Sequence, residues 1–96
     1  MAQVQITYWR NIPAMVTARE GRRRAKIQLP QRFQNAIDEA AMRAGLIGTD
    51  EYLEEWRRGP WEEREGSPEE VAQAVAQELE AAFPREKLRA LLQEIE

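Results

Sequence analysis

Between Arg24 and Ala44 the apolar period changes from two to a helical spacing at a single proline, and no other stretch restricts the fold so tightly. Arg24 to Leu29 alternates, with Ala25, Ile27 and Leu29 on one side and Arg24, Lys26 and Gln28 on the other, as in a half-buried strand. Pro30 ends the alternation, because it lacks an amide proton and suits the first turn of a helix. Phe33, Ala36, Ile37, Ala40, Ala41 and Ala44 then recur on one helical stripe. Its alanines permit close approach to a neighbour, and Gly45 stands where a C-terminal cap is expected. A strand of this kind needs partners, and the helix needs a surface to cover.

The preceding residues supply the partners. Gln3 to Arg10 alternates Val4, Ile6 and Tyr8 against Gln5, Thr7 and Trp9, and Arg10-Asn11-Ile12-Pro13 breaks it. Pro13 suits the start of an edge strand. Ala14 to Arg19 resumes with Val16 and Ala18 inward, and Glu20-Gly21 is a turn. Three short strands, about 3–10, 14–19 and 24–29, are expected as an antiparallel meander. Downstream, Thr49 is an N-cap for a helix near 50–58, whose buried edge is Tyr52, Leu53 and Trp56, and Gly59-Pro60 closes it. Ser67-Pro68-Glu69-Glu70 carries an N-cap Ser, Pro at the first helical position and Glu completing a capping box. Val71, Val75, Leu79, Ala82 and Phe83 follow on one stripe; Pro84 breaks it, and Leu88, Leu91, Leu92 and Ile95 form another. Helices near 68–83 and 85–95 are too short to stand alone in water, so they must dock on the head or on a second copy. The expected class is α+β: a three-stranded antiparallel meander packed against helices near 31–44 and 50–58, with two C-terminal amphipathic helices. Residues 1–58 read as the sheet-plus-helices domain, 59–66 as a linker and 67–96 as a helical extension.

Composition narrows the chemistry. The 96 residues include no Cys and no His, and Ser67 is the one serine. Nucleophilic triads and the commonest metal ligands therefore have no parts. The five glycines are scattered singly, so no phosphate-cradling loop exists. Asp50, Glu51, Glu54 and Glu55 sit where a helix's solvent face and first turn favour them. The expectation is a non-enzymatic domain with no cofactor and no metal. No apolar run approaches the ~18 residues of a membrane span and the N-terminus lacks a signal-peptide core, so a cytoplasmic location is expected.

Net charge is −3, unevenly spread: ten basic against seven acidic residues through Trp61, then four against ten. A basic head on an acidic tail suggests self-complementarity or an acidic partner. If Val4, Ile6 and Ile27 face the helices, then Trp9, Met15, Arg19, Arg24 and Lys26 face away, with Arg22 and Arg23 beside them. Aromatic and basic groups together fit a single-stranded nucleic-acid platform. They equally fit a protein interface, including a homodimer through Trp9 and Met15, or a face covered by the acidic helices. Strand, Leu-Pro and two helices joined at Gly45 also resemble ribbon-helix-helix DNA-binding proteins over Lys26 to Trp56. The acidic second helix and the competing upstream strands weigh against that pattern.

A wider resemblance rests on I-T-Y-W-R-N-I-P-A (Ile6 to Ala14), A-K-I-Q-L-P-Q-R-F-Q-N-A-I-D, A-A-M-R-A-G-L and T-D-E-Y-L-E-E-W-R-R (to Arg58). These strings resemble the small bacterial virulence factor family and the C-terminal module of conserved virulence factor C proteins. The resemblance covers residues 6 to 58 and implies no catalytic residues. It directs attention to Tyr8, Trp9, Arg10 and Pro13, either as a strand end with a tight turn or as a corner where Trp9 and Arg10 meet a partner. The expected role is protein interaction, with nucleic-acid binding as the alternative.

Overall fold

A computed structural model describes residues 1–93 of the chain. Three strands, β1 (Ala2–Trp9), β2 (Ile12–Glu20) and β3 (Arg23–Gln28), form the expected antiparallel meander. They are followed by helices α1 (Gln31–Arg43) and α2 (Asp50–Glu54), strands β4 (Trp56–Arg58) and β5 (Glu62–Arg64), and helices α3 (Pro68–Ala82) and α4 (Arg85–Gln93). The expected continuation of the last helix to residue 95, with Ile95 on its stripe, lies outside the described residues.

The sheet has five strands, not three. β4 and β5 both pair antiparallel with β1, so β1 is flanked on both edges and β3 remains a free edge. The expected helix over 50–58 stops at Glu54, and the expected linker 59–66 contains β5. The cause lies in β1, an eight-residue strand whose outer amides and carbonyls need partners beside the core. Residues 56–64 meet that need as one interrupted strand: Thr7 faces Arg58 and Val4 faces Glu62, leaving three residues opposite two. That bulge places Gly59 against β1, its amide donating to the Ile6 carbonyl at 2.9 Å. A Cβ at Gly59 would stand 3.3 Å from the Tyr8 ring and 3.4 Å from the Ile6 oxygen, so glycine suits this approach.

Pro13 does not lie on an edge strand, since β2 runs between β1 and β3. It is tolerated because the β1–β2 register shifts there, with Tyr8 facing Pro13 directly after Thr7 faces Met15. β3 pairs no further along β2 than Met15, and Leu29 beyond it donates to the Ala14 carbonyl.

α3 is the main cover of the sheet, packing across β1, β2 and β3. Val71, Ala72, Val75 and Ala76 join Val4, Val16 and Ala18 in one core. The capping box forms as the sequence dictates: the Ser67 hydroxyl accepts from the Glu70 amide, and the Glu70 carboxylate accepts from the Ser67 amide. α1 packs against β2 and α4 through Phe33, Ala36, Ile37, Ala40 and Ala41, with Leu88 and Leu92 opposite. α1 ends in a Schellman turn. The Gly45 and Leu46 amides donate to the Met42 and Ala41 carbonyls, Gly45 takes a φ of +72°, and Leu46 is buried beneath it. Both C-terminal helices therefore dock on their own chain.

Candidate interaction surface

Alternation assigns the two faces of the sheet. Val4, Ile6 and Tyr8 line a slot of about 270 Å³ with Val75 and Leu79 of α3, so Gln3, Gln5 and Thr7 face the other way. Cross-strand register then writes that second face as rows. Arg24, Arg19, Gln3 and Glu63 form the first; Lys26, Thr17 and Gln5 the second; Gln28, Met15, Thr7 and Arg58 the third. Arg24, Lys26, Gln28 and Arg58 are exposed, and the start of α1 borders the third row, where Gln31 and Gln34 line a hollow with Thr7, Met15, Gln28 and Trp56.

Arg19 is the best-fixed cation of this face. Its guanidinium carbon lies 3.8 Å from the centroid of the Trp61 ring, and its Nε donates to Gln3 Oε1 at 3.0 Å. Arg24 stands directly opposite it across the strand pair. Like charges in that position oppose each other. A hollow of about 340 Å³ opens here, lined by Gln3, Arg19, Arg24 and Glu63 together with Glu20, whose carboxylate pairs with the Met1 ammonium at 2.7 Å.

Other residues expected on this face are elsewhere. Trp9 shares the parity of Gln5 and Thr7, yet it is 0% exposed. The residues after Thr49 fold over it: the Trp9 Nε1 donates to the Tyr52 carbonyl at 2.9 Å, and the two rings lie 5.7 Å apart. Trp9 is therefore a core residue rather than a recognition group. Arg10 occupies the β1–β2 turn with φ +54°, an uncommon value for a side-chain-bearing residue. It is held by a backbone bond to Glu55, an ion pair with the Glu55 carboxylate at 3.1 Å and the Arg57 side chain donating to its carbonyl. Arg23 lies on the α3 side and pairs with Glu69. Arg22 is exposed in the β2–β3 turn, at the margin of the face.

The sequence alone does not mark Gln3, Arg58 and Trp61 as members of this surface, since it reads Arg58 as the end of a helix and Trp61 as part of the linker 59–66. The available signal was Gly59-Pro60, which reads as well as a break within an edge strand as it does as a helix stop.

Electrostatics secure the opposite side. Arg23 at one edge of the sheet and Arg64 at the other each take a carboxylate of α3, Glu69 and Glu78, and so strap the helix at both sides. Each arginine holds its glutamate's carboxyl below the usual range by donating a hydrogen bond to it. The Ser67 amide does the same for Glu70. The acidic tail is thus partly neutralised within the molecule. Among the described residues, no group of three or more Asp or Glu is arranged to hold a metal ion, and no helix is long and apolar enough to cross a membrane.

A family model described as Virulence factor matches residues 7–92. The match extends beyond the strings ending at Arg58 and runs through α3 into α4. No curated protein and no solved structure matches the chain significantly.

Proposed function

The chain belongs to the virulence factor family, and from its surface we propose a non-enzymatic protein-interaction domain that works in the cytoplasm. Its contact surface is the sheet face turned away from α3. One observation carries this reading: Arg19, Arg24, Lys26 and Arg58 share that face and take no part in the ion pairs found among the described residues. Arg10, Arg23, Arg43 and Arg64 each have a carboxylate elsewhere, while Arg22, Arg32, Arg57, Arg85, Lys87 and Arg89 also take part in none of these pairs; what sets the sheet face apart is that four such cations share it. Four cations without a carboxylate on one sheet face give it a positive field that an acidic partner surface would complement.

A protein partner fits this face better than single-stranded nucleic acid. A base platform needs free aromatic rings. Trp9 is withdrawn into the core, and the ring of Trp61 is already occupied by Arg19.

The test is affinity capture from the native cytoplasm with the double variant Arg24→Glu, Lys26→Glu against a control, Arg85→Glu, Arg89→Glu, on exposed positions of α4. The reading expects bound proteins to be lost with the sheet-face variant and kept with the control. Equal capture by both variants would contradict it.

A further inference from the structure

We propose that Arg19 is a pre-set anion fork, and that the group it takes is a carboxylate on an acidic segment of a partner protein. This rests on the interaction-face reading above and names the chemistry of the partner. Three observations converge on it.

First, the Arg19 side chain has its freedom removed before any ligand arrives. One flat side lies on Trp61 and its Nε is committed to Gln3, so the two terminal Nη groups remain as a planar pair of donors. Paired parallel donors match the two oxygens of a carboxylate, and pre-ordering removes much of the entropy cost of forming the bonds. Second, Arg24 faces Arg19 directly and Lys26 follows two residues on along the same edge strand. Neither arginine takes part in an ion pair among the described residues, and an anion lodged between them would offset their mutual repulsion. Third, the hollow of about 340 Å³ lies at this row, open to solvent and lined by both arginines.

The surroundings choose among anions. Glu63 ends the row beside Gln3, and Glu20 is spent on the Met1 ammonium, so the net positive charge at the hollow is small. That suits a singly charged carboxylate better than a free phosphate, which carries more than one charge at neutral pH; a chain of phosphates is disfavoured by the lack of a free aromatic platform. Carboxylates on an extended acidic segment would meet Arg19 and Arg24 in the first row and Lys26 in the second.

The test titrates the isotopically labelled full chain with a glutamate oligopeptide, a glutamine oligopeptide of equal length, oligothymidylate and inorganic phosphate, following the Arg19 Nε–Hε and Lys26 amide resonances. The glutamate peptide is expected to move both and the glutamine peptide neither. Arg19→Lys, which keeps the charge but loses the fork, should weaken glutamate binding about tenfold. Because Arg19 is partly buried, Arg24→Gln on an exposed side chain serves as a second variant and should weaken binding in the same direction. Tighter binding of oligothymidylate or phosphate, shifts confined to other surfaces, or wild-type affinity in both variants would overturn the proposal. If Arg19 ignores glutamate while reversal of Arg24 and Lys26 still abolishes capture, the fork fails and the interaction face stands. If capture also survives, both fail.

Discussion

The indole Nε1 of Trp9 donates a 2.9 Å hydrogen bond to the carbonyl of Tyr52, joining the end of the first strand to the short helix α2 across 43 positions of sequence. This contact draws a tryptophan that strand alternation sends outward into full burial. It also turns the chain so that Trp56 pairs with Trp9 at the start of β4.

Trp9 should therefore be the most sensitive of the three tryptophans. Trp9→Ala should destabilise the domain by about 3–5 kcal/mol through the cavity it leaves and the unpaired Tyr52 carbonyl. Trp56→Ala, at a half-buried position, should cost clearly less. Chemical denaturation of both variants decides this, and equal losses would count against the buried-Trp9 core.

The start of α3 rests on its capping box. Ser67→Ala should lower stability by about 1 kcal/mol, since the Glu70 amide loses the hydroxyl it donates to. Ser67→Asp should recover most of the loss. Thermal or urea unfolding of the pair reads the difference.

Acid should loosen α3 from the sheet. Glu69, Glu70 and Glu78 titrate below the usual carboxylate range in the folded protein, so their contribution is present in full above their unfolded values. It is lost as pH falls through the lower folded values. Melting temperature should hold at neutral pH and drop below the ordinary carboxylate range, and the drop should shrink in the double variant Glu69→Gln, Glu78→Gln.

Gly59→Ala should destabilise the sheet edge, because the added methyl needs the Tyr8 ring to give way beside the fixed Ile6 carbonyl. Hydrogen exchange should quicken at the Gly59 amide and at β4 and β5. Protection unchanged from wild type would mean that the edge yields without cost.

The parts of this fold that were legible in the sequence are those whose local pattern and tertiary role agree. β1 to β3 alternate in the register they adopt, α1 stops at Gly45, and Ser67-Pro68-Glu69-Glu70 caps α3 as written. The edge strand was hidden because Tyr52, Leu53 and Trp56 mimic a buried helical edge, whereas Leu53 is 65% exposed and Trp56 lies in β4. β5 is Glu62-Glu63-Arg64, three charged residues that carry no strand pattern; they pair because β1 needs a neighbour. The basic face was legible at Arg19, Arg24 and Lys26. Its aromatic was misassigned, because Trp9 is fixed by a helix far along the chain and Trp61 arrives through a bulge that only the β1 register defines.

The central claim is that the molecule meets its partner with the sheet face away from α3. A photoactivatable cross-linking residue placed in turn at Lys26 and Gln28 on that face, and at Gln73 and Gln77 on the exposed side of α3, tests it directly in cells. The account expects cross-linked species from positions 26 and 28 and none from 73 and 77. Cross-links from α3 alone would contradict it.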